Sequence, residues 1–112
     1  AEVWIKLENV QVTGSFKYRG AANAIAALVA ARPDVSAVLT ASAGNHGLAL
    51  ATAAARLGLR TRVHLPSSAP AAKSEAMAAQ TSSADILPLP TSTSVPAMAL
   101  TIWCRNPLPV TS

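Results

Sequence analysis

The chain has 112 residues, 51% of them hydrophobic and 12% charged: enough for one small packed domain, and too apolar for a disordered acidic or basic tail. Its net charge is +4, but the nine Lys and Arg residues are scattered and no basic run is interleaved with aromatics, so nucleic acid is not an expected partner. Cys104 is the single cysteine, and His46 and His64 lack ligand-like neighbours, so neither an internal disulfide nor a metal site is expected. No basic and apolar leader pattern opens the sequence, and no apolar run is long enough to span a bilayer. A cytoplasmic protein without membrane contact is the expectation.

In chain order, Val3, Ile5 and Leu7 alternate with Trp4, Lys6 and Glu8, which predicts a first strand. Residues 9–14 form a polar connection ending in Gly14. Ser15 then reads as a helix N-cap, and from Phe16 the spacing of Ala21, Ile25 and Leu28 predicts a helix that Pro33 closes. Residues 35–41 read as a short buried strand and residues 42–47 as a tight glycine-bearing loop. A second helix carries Leu50, Ala54 and Leu57 on one face, with Gly58 as its C-terminal cap. Thr61, Val63 and Leu65 alternate with Arg60, Arg62 and His64 in the next strand. A loop over 66–70 and a short helix over 71–79 follow. This β-α-β-α-β-α order predicts an α/β unit with parallel strands.

The composition changes near Gln80. Beyond it the only charged residues are Asp85 and Arg105, and five of the eight prolines crowd among Ser and Thr. Ile86 and Leu87 can start a strand, which Pro88 and Pro90 would confine to a sheet edge. The expectation is a mostly irregular, poorly packed tail over 80–112, unrelated to residues 1–79 and left by an interrupted or shifted reading frame, with a linker as the alternative.

Two segments carry the chemistry. S-F-K-Y-R-G (residues 15–20) places Lys17 in the first turn of a helix directly after a glycine turn. S-A-G-N-H-G (residues 42–47) joins the end of a strand to the start of a helix, where backbone N–H groups gather around anions in α/β folds. For Lys17 and Arg19 the plain alternative is a capped, solvated helix start; for Ser42 and Asn45 it is helix capping. Neither G-x-G-x-x-G nor G-x-x-x-x-G-K-[ST] occurs, which weakens a nucleotide-binding module.

Both segments, in this order, resemble the fold-type-II pyridoxal-phosphate enzymes, in particular the threonine/serine dehydratase and serine racemase group. The resemblance runs from about Val3 to about Ala79. It includes Lys6, Leu7, Glu8, Asn9, Gln11 and Thr13, and then Pro66 and Lys73 at fitting distances. It implies part of a tryptophan-synthase-β-like α/β fold, with a partial parallel sheet and flanking helices. It also implies pyridoxal 5′-phosphate as cofactor and Lys17 as the catalytic lysine that holds its aldehyde. Phe16 would wall the cofactor and Asn45 would bond its ring hydroxyl. Ser42, Ala43, Asn45 and His46 would bind the substrate carboxylate, while Arg19 and Gly20 shape the helix.

The implied substrate is a hydroxy amino acid, L-threonine or L-serine, which loses water to give an aminocrotonate or aminoacrylate that hydrolyses to a 2-oxo acid and ammonia; the implied intact enzyme is a homo-oligomer. Serine racemase and hydroxyectoine-type dehydratases share the same residues, and a non-catalytic α/β remnant is the rival from another class. The family also cradles the cofactor phosphate in a glycine-rich loop farther on. The last of the five glycines here is Gly58, so an N-terminal fragment, inactive alone, is expected.

Overall fold

The computed structural model describes residues 1–42, 44–80, 84–89 and 101–104 of the chain. Three helices and four strands follow one another as α1 (Lys17–Ala31), β1 (Ala37–Ala41), α2 (Asn45–Arg56), β2 (Arg60–Pro66), α3 (Ala71–Gln80), β3 (Ala84–Leu89) and β4 (Thr101–Cys104). The sheet has the order β3-β2-β1-β4, with β1, β2 and β3 parallel and β4 antiparallel to β1. Parallel neighbours need a crossover, and α2 and α3 supply one each.

Helix α2 is the centre of the packing, and residues 47–54 within it are all buried. Five of these eight residues are Ala or Gly, because a helix packed on several sides must let its neighbours approach closely. On one flank Ala49, Leu50, Ala53 and Ala54 meet Ala21 and Ile25 of α1 together with Val38 of β1 and Leu59. On the other, Leu48 meets Val63 and Leu65 of β2 and Met77 of α3. Val38, Val63 and Leu65 therefore face the helical layer, and by strand alternation Leu39, Arg62 and His64 point to the opposite face.

The end of α2 is a Schellman motif. Leu59 N–H donates to Ala54 C=O at 2.9 Å and Gly58 N–H to Ala55 C=O at 3.1 Å. Gly58 takes the left-handed φ of +72° that this closure requires, in agreement with the sequence reading.

The expected first strand is absent. Val3, Ile5 and Leu7 are 79%, 78% and 59% exposed, and among the described residues no strand pairs with residues 1–7. Both sides of β1 are already taken, by β2 and β4, and alternation without a neighbour to accept ladder hydrogen bonds does not make a strand. Instead, a short 3₁₀ turn spans Glu8–Val10. The tail expected to be mostly irregular contains two strands of this sheet, β3 and β4; the rest of it, residues 81–83, 90–100 and 105–112, lies outside the described residues. β3 does lie at the sheet edge, with Pro88 opposite Leu65, the position that a residue lacking an N–H demands. No described helix is long and apolar enough to cross a membrane.

Candidate functional site

Lys17 is the first residue of α1 and is exposed. The chain reaches it through Gly14, whose φ of +75° closes a turn with Gly14 N–H donating to Gln11 C=O at 2.8 Å. The cap position itself is Phe16, in helical conformation and without a side-chain bond. Ser15, expected as the N-cap, sits one residue earlier and accepts the Lys17 N–H at 3.3 Å. Phe16 is 60% exposed, so it is not a core aromatic, and its ring lies beneath the Lys17 ammonium with 5.2 Å from Nζ to centroid.

Arg19 points away from this chemistry. Its guanidinium pairs with Glu8 at 3.0 Å, and Glu8 also takes the Lys6 ammonium at 2.8 Å and the Gln11 amide at 3.1 Å. The bond from Lys6, then those from Gln11 and the charges of Lys6 and Arg19, hold the Glu8 carboxyl below its ordinary value despite some desolvation. Glu8 thus ties the segment before the turn to α1, in line with the expectation that Arg19 shapes the helix.

The second segment follows β1 at the same level as the first turn of α2. Ser42 is buried, and its Oγ accepts the N–H of Gly47 at 2.9 Å and of Gly44 at 3.2 Å. It therefore satisfies a first-turn donor of α2, and its own O–H is left to donate outward. Gly47 is required here by space. A Cβ at that position would lie 3.1 Å from Val63 Cγ1 and 3.2 Å from both Met77 Cε and Ser42 Cβ. Ala43 lies outside the described residues.

Asn45 opens α2 on the surface, and its Oδ1 accepts a 2.7 Å hydrogen bond from Lys73 Nζ. His46 is half-buried, and burial followed by the positive charge of Lys17 lowers its pKa. His64 is half-buried on the sheet face away from the helices, where burial and then Arg62 lower its pKa. Among the described residues no group of three His, Cys, Asp or Glu side chains could hold a metal ion.

Sequence reasoning placed Lys73 in the motif but assigned it no contact. The seven-residue step from Pro66 to Lys73 is a visible signal, yet only the packing of α3 on α2 shows what the lysine meets.

Lys17, Lys73, the Ser42 hydroxyl, the Asn45 amide and the positive end of α2 offer donors and positive charge, and no ion pair joins Lys17 to a described carboxylate. Such a set suits a ligand that is anionic and carries an aldehyde, which is the chemistry of pyridoxal phosphate. The sequence model of the family described as pyridoxal-phosphate dependent enzyme matches residues 1–99, beyond the composition change at Gln80. Catabolic L-threonine dehydratase of Staphylococcus aureus (strain USA300) is 45% identical over 74 residues, which is 66% of this chain and 21% of that protein. Serine racemase of Schizosaccharomyces pombe is 47% identical over 73 residues, 65% of this chain and 22% of that protein. A solved pyridoxal 5′-phosphate-dependent aspartate racemase superposes with a TM-score of 0.70 at 44% identity, over 74% of this chain and 25% of that one. This chain spans about a fifth of the length of these curated relatives. With a family match over residues 1–99, the chain belongs to the pyridoxal-phosphate dependent enzyme family.

Proposed function

We propose that this chain is the lysine-bearing part of a threonine/serine ammonia-lyase, which eliminates water from a hydroxy amino acid to give an enamine that water then hydrolyses to a 2-oxo acid and ammonia. The reading is supported by Lys17 opening α1, whose Ala21, one turn further on, shares a core cluster with Ala49 of α2, and by Ser42 and Asn45 standing at the start of α2. Pyridoxal phosphate, when bound, supplies an aldehyde for the amines and an electron-withdrawing ring that eases loss of the substrate Cα proton. Lys17 Nζ would hold that aldehyde and, as a free amine beside the substrate, would accept the Cα proton. Phe16 flanks the ring and excludes water from one side of the lysine.

Asn45 donates to the ring oxygen. The substrate carboxylate takes the Ser42 O–H and backbone N–H groups at the start of α2, at Asn45 and His46, where the helix dipole favours an anion. Ala43 keeps its share of that role on the motif alone. L-Threonine and L-serine are the proposed substrates, and homo-oligomeric assembly and a cytoplasmic location belong to the same proposal. So does a boundary at Gln80 between an enzyme-like unit over 1–79 and a distinct tail, on the loss of charge and crowding of prolines beyond it.

Racemisation is the second reading, favoured by the 47% identity to a serine racemase, and it uses the same residues. Capping by Ser42 also gives that serine a structural purpose, which supports the reading as a non-catalytic remnant. The test is borohydride reduction after adding pyridoxal phosphate, followed by peptide mass spectrometry. The chain has three lysines, Lys6, Lys17 and Lys73, so selectivity is read directly. The expected result is a cofactor label concentrated on Lys17 and lost in Lys17→Ala. A label spread evenly over the three lysines overturns the assignment.

A further inference from the structure

Lys73 has a defined place in this arrangement. It is the third residue of α3, half-buried, and its Nζ meets Asn45 Oδ1 at 2.7 Å across 28 residues of sequence. An ammonium has three donors and no acceptor, so the amide atom facing it must be oxygen. The usual ambiguity between the oxygen and nitrogen of an Asn side chain is thereby removed. Because the carboxamide is planar and forked, its NH₂ is turned away from Lys73.

The contact is held by packing beneath it. Met77 lies one helical turn beyond Lys73 on the same face of α3 and is fully buried against Leu48 and Val63. Its Cε sits where a Cβ on Gly47 would come within 3.2 Å, so α3 is seated directly against the first turn of α2. The Met77–Gly47 contact sets the register, and Lys73 is delivered to Asn45, two residues before Gly47.

We propose that Lys73 is a positioning residue. It orients the Asn45 carboxamide so that Asn45 acts as a hydrogen-bond donor, which selects a deprotonated oxygen on the ring of the ligand rather than a hydroxyl that must itself donate. This rests on the reading of Asn45 as the residue facing the cofactor ring. Although the bond is exposed, a charge-assisted contact favours one amide orientation, and a neutral side chain in place of Lys73 leaves both orientations open.

The experiment uses the full 112-residue chain as wild type, Lys73→Met and Lys73→Arg. The first readout needs no cofactor: the Asn45 side-chain NH₂ resonances, which should shift in Lys73→Met and be largely restored in Lys73→Arg. The second compares binding of pyridoxal phosphate with that of its 3-O-methyl ether, which lacks the ring oxyanion. Lys73→Met should weaken the parent compound roughly three- to tenfold and leave the ether unchanged. A purely structural role would weaken both alike, and equal losses, or unmoved Asn45 resonances, overturn the proposal. Loss of selectivity for Lys17 in the reduction experiment overturns instead the functional reading beneath it, so the two failures are told apart.

Discussion

Replacing Gly47 by alanine should destabilise the chain, although alanine is the better helix former. The added Cβ lies 3.1 Å from Val63 Cγ1 and 3.2 Å from Met77 Cε and Ser42 Cβ, against the ~3.5–4.0 Å at which carbon pairs are comfortable. Met77 Cε ends a flexible side chain and can yield. Val63 is fully buried and β-branched, and Ser42 Cβ is one bond from the backbone, so neither yields cheaply. Overpacking of this kind costs about 1–3 kcal/mol. Moving Ser42 also weakens the 2.9 Å bond from Gly47 N–H to its Oγ, a capping interaction of about 1 kcal/mol. The gain in helix propensity offsets about 1 kcal/mol of this. The net loss is about 2 kcal/mol, or a urea midpoint lower by about 1 M, followed by circular dichroism. Gly20→Ala is the matched control, since a Cβ on Gly20, within α1, meets nothing within 4 Å. It should stabilise the chain by about 0.5–1 kcal/mol and raise the midpoint accordingly. A Gly47→Ala chain as stable as the parent, with Gly20→Ala behaving as expected, would refute the packing reasoning.

The His46 titration followed by NMR should lie below the ordinary 6.5 and move up in Lys17→Met, while His64, depressed by burial and Arg62, stays in place; an unmoved His46 would separate Lys17 from the α2 N-terminus. Since the fold prefers both imidazoles neutral, their contribution to stability is complete above pH 6.5. It is lost as the pH falls through 6.5 toward the lowered folded values, so mild acid should destabilise. Thr61→Val removes a buried hydroxyl that has no partner among the described residues, and it should leave the stability unchanged or raise it by up to about 1 kcal/mol; a clear fall in the urea midpoint would reveal a bond to that oxygen. The chain alone, given pyridoxal phosphate and L-threonine or L-serine, should release no more 2-oxo acid than Lys17→Ala, because it spans about a fifth of its relatives' length. Release above that control would mean that the positioning groups are complete within these residues.

Most of the fold was legible because it rests on local signals. The spacing of Ala21, Ile25 and Leu28, the left-handed cap at Gly58 and the alternation of Thr61, Val63 and Leu65 each encode an element within a few residues. The structure has those elements where the pattern puts them. Lys17 and the loop from Ser42 were likewise visible, since a lysine after a glycine turn and a glycine-bearing strand-to-helix loop are contiguous motifs.

What the sequence could not decide depends on partners distant along the chain. Residues 3–7 alternate as a strand should, but whether they become one depends on a neighbour to share ladder hydrogen bonds, and among the described residues they have none. The prolines after Leu87 limit a strand there to a sheet edge, but which strand it would join was not written locally; β3 formed beside β2, at the edge. The contact of Lys73 with Asn45 spans 28 residues and is set by Met77 seating against a glycine on another helix. A one-dimensional pattern records which side chains are available, whereas contact between them is decided by the three-dimensional packing that brings two elements to van der Waals distance.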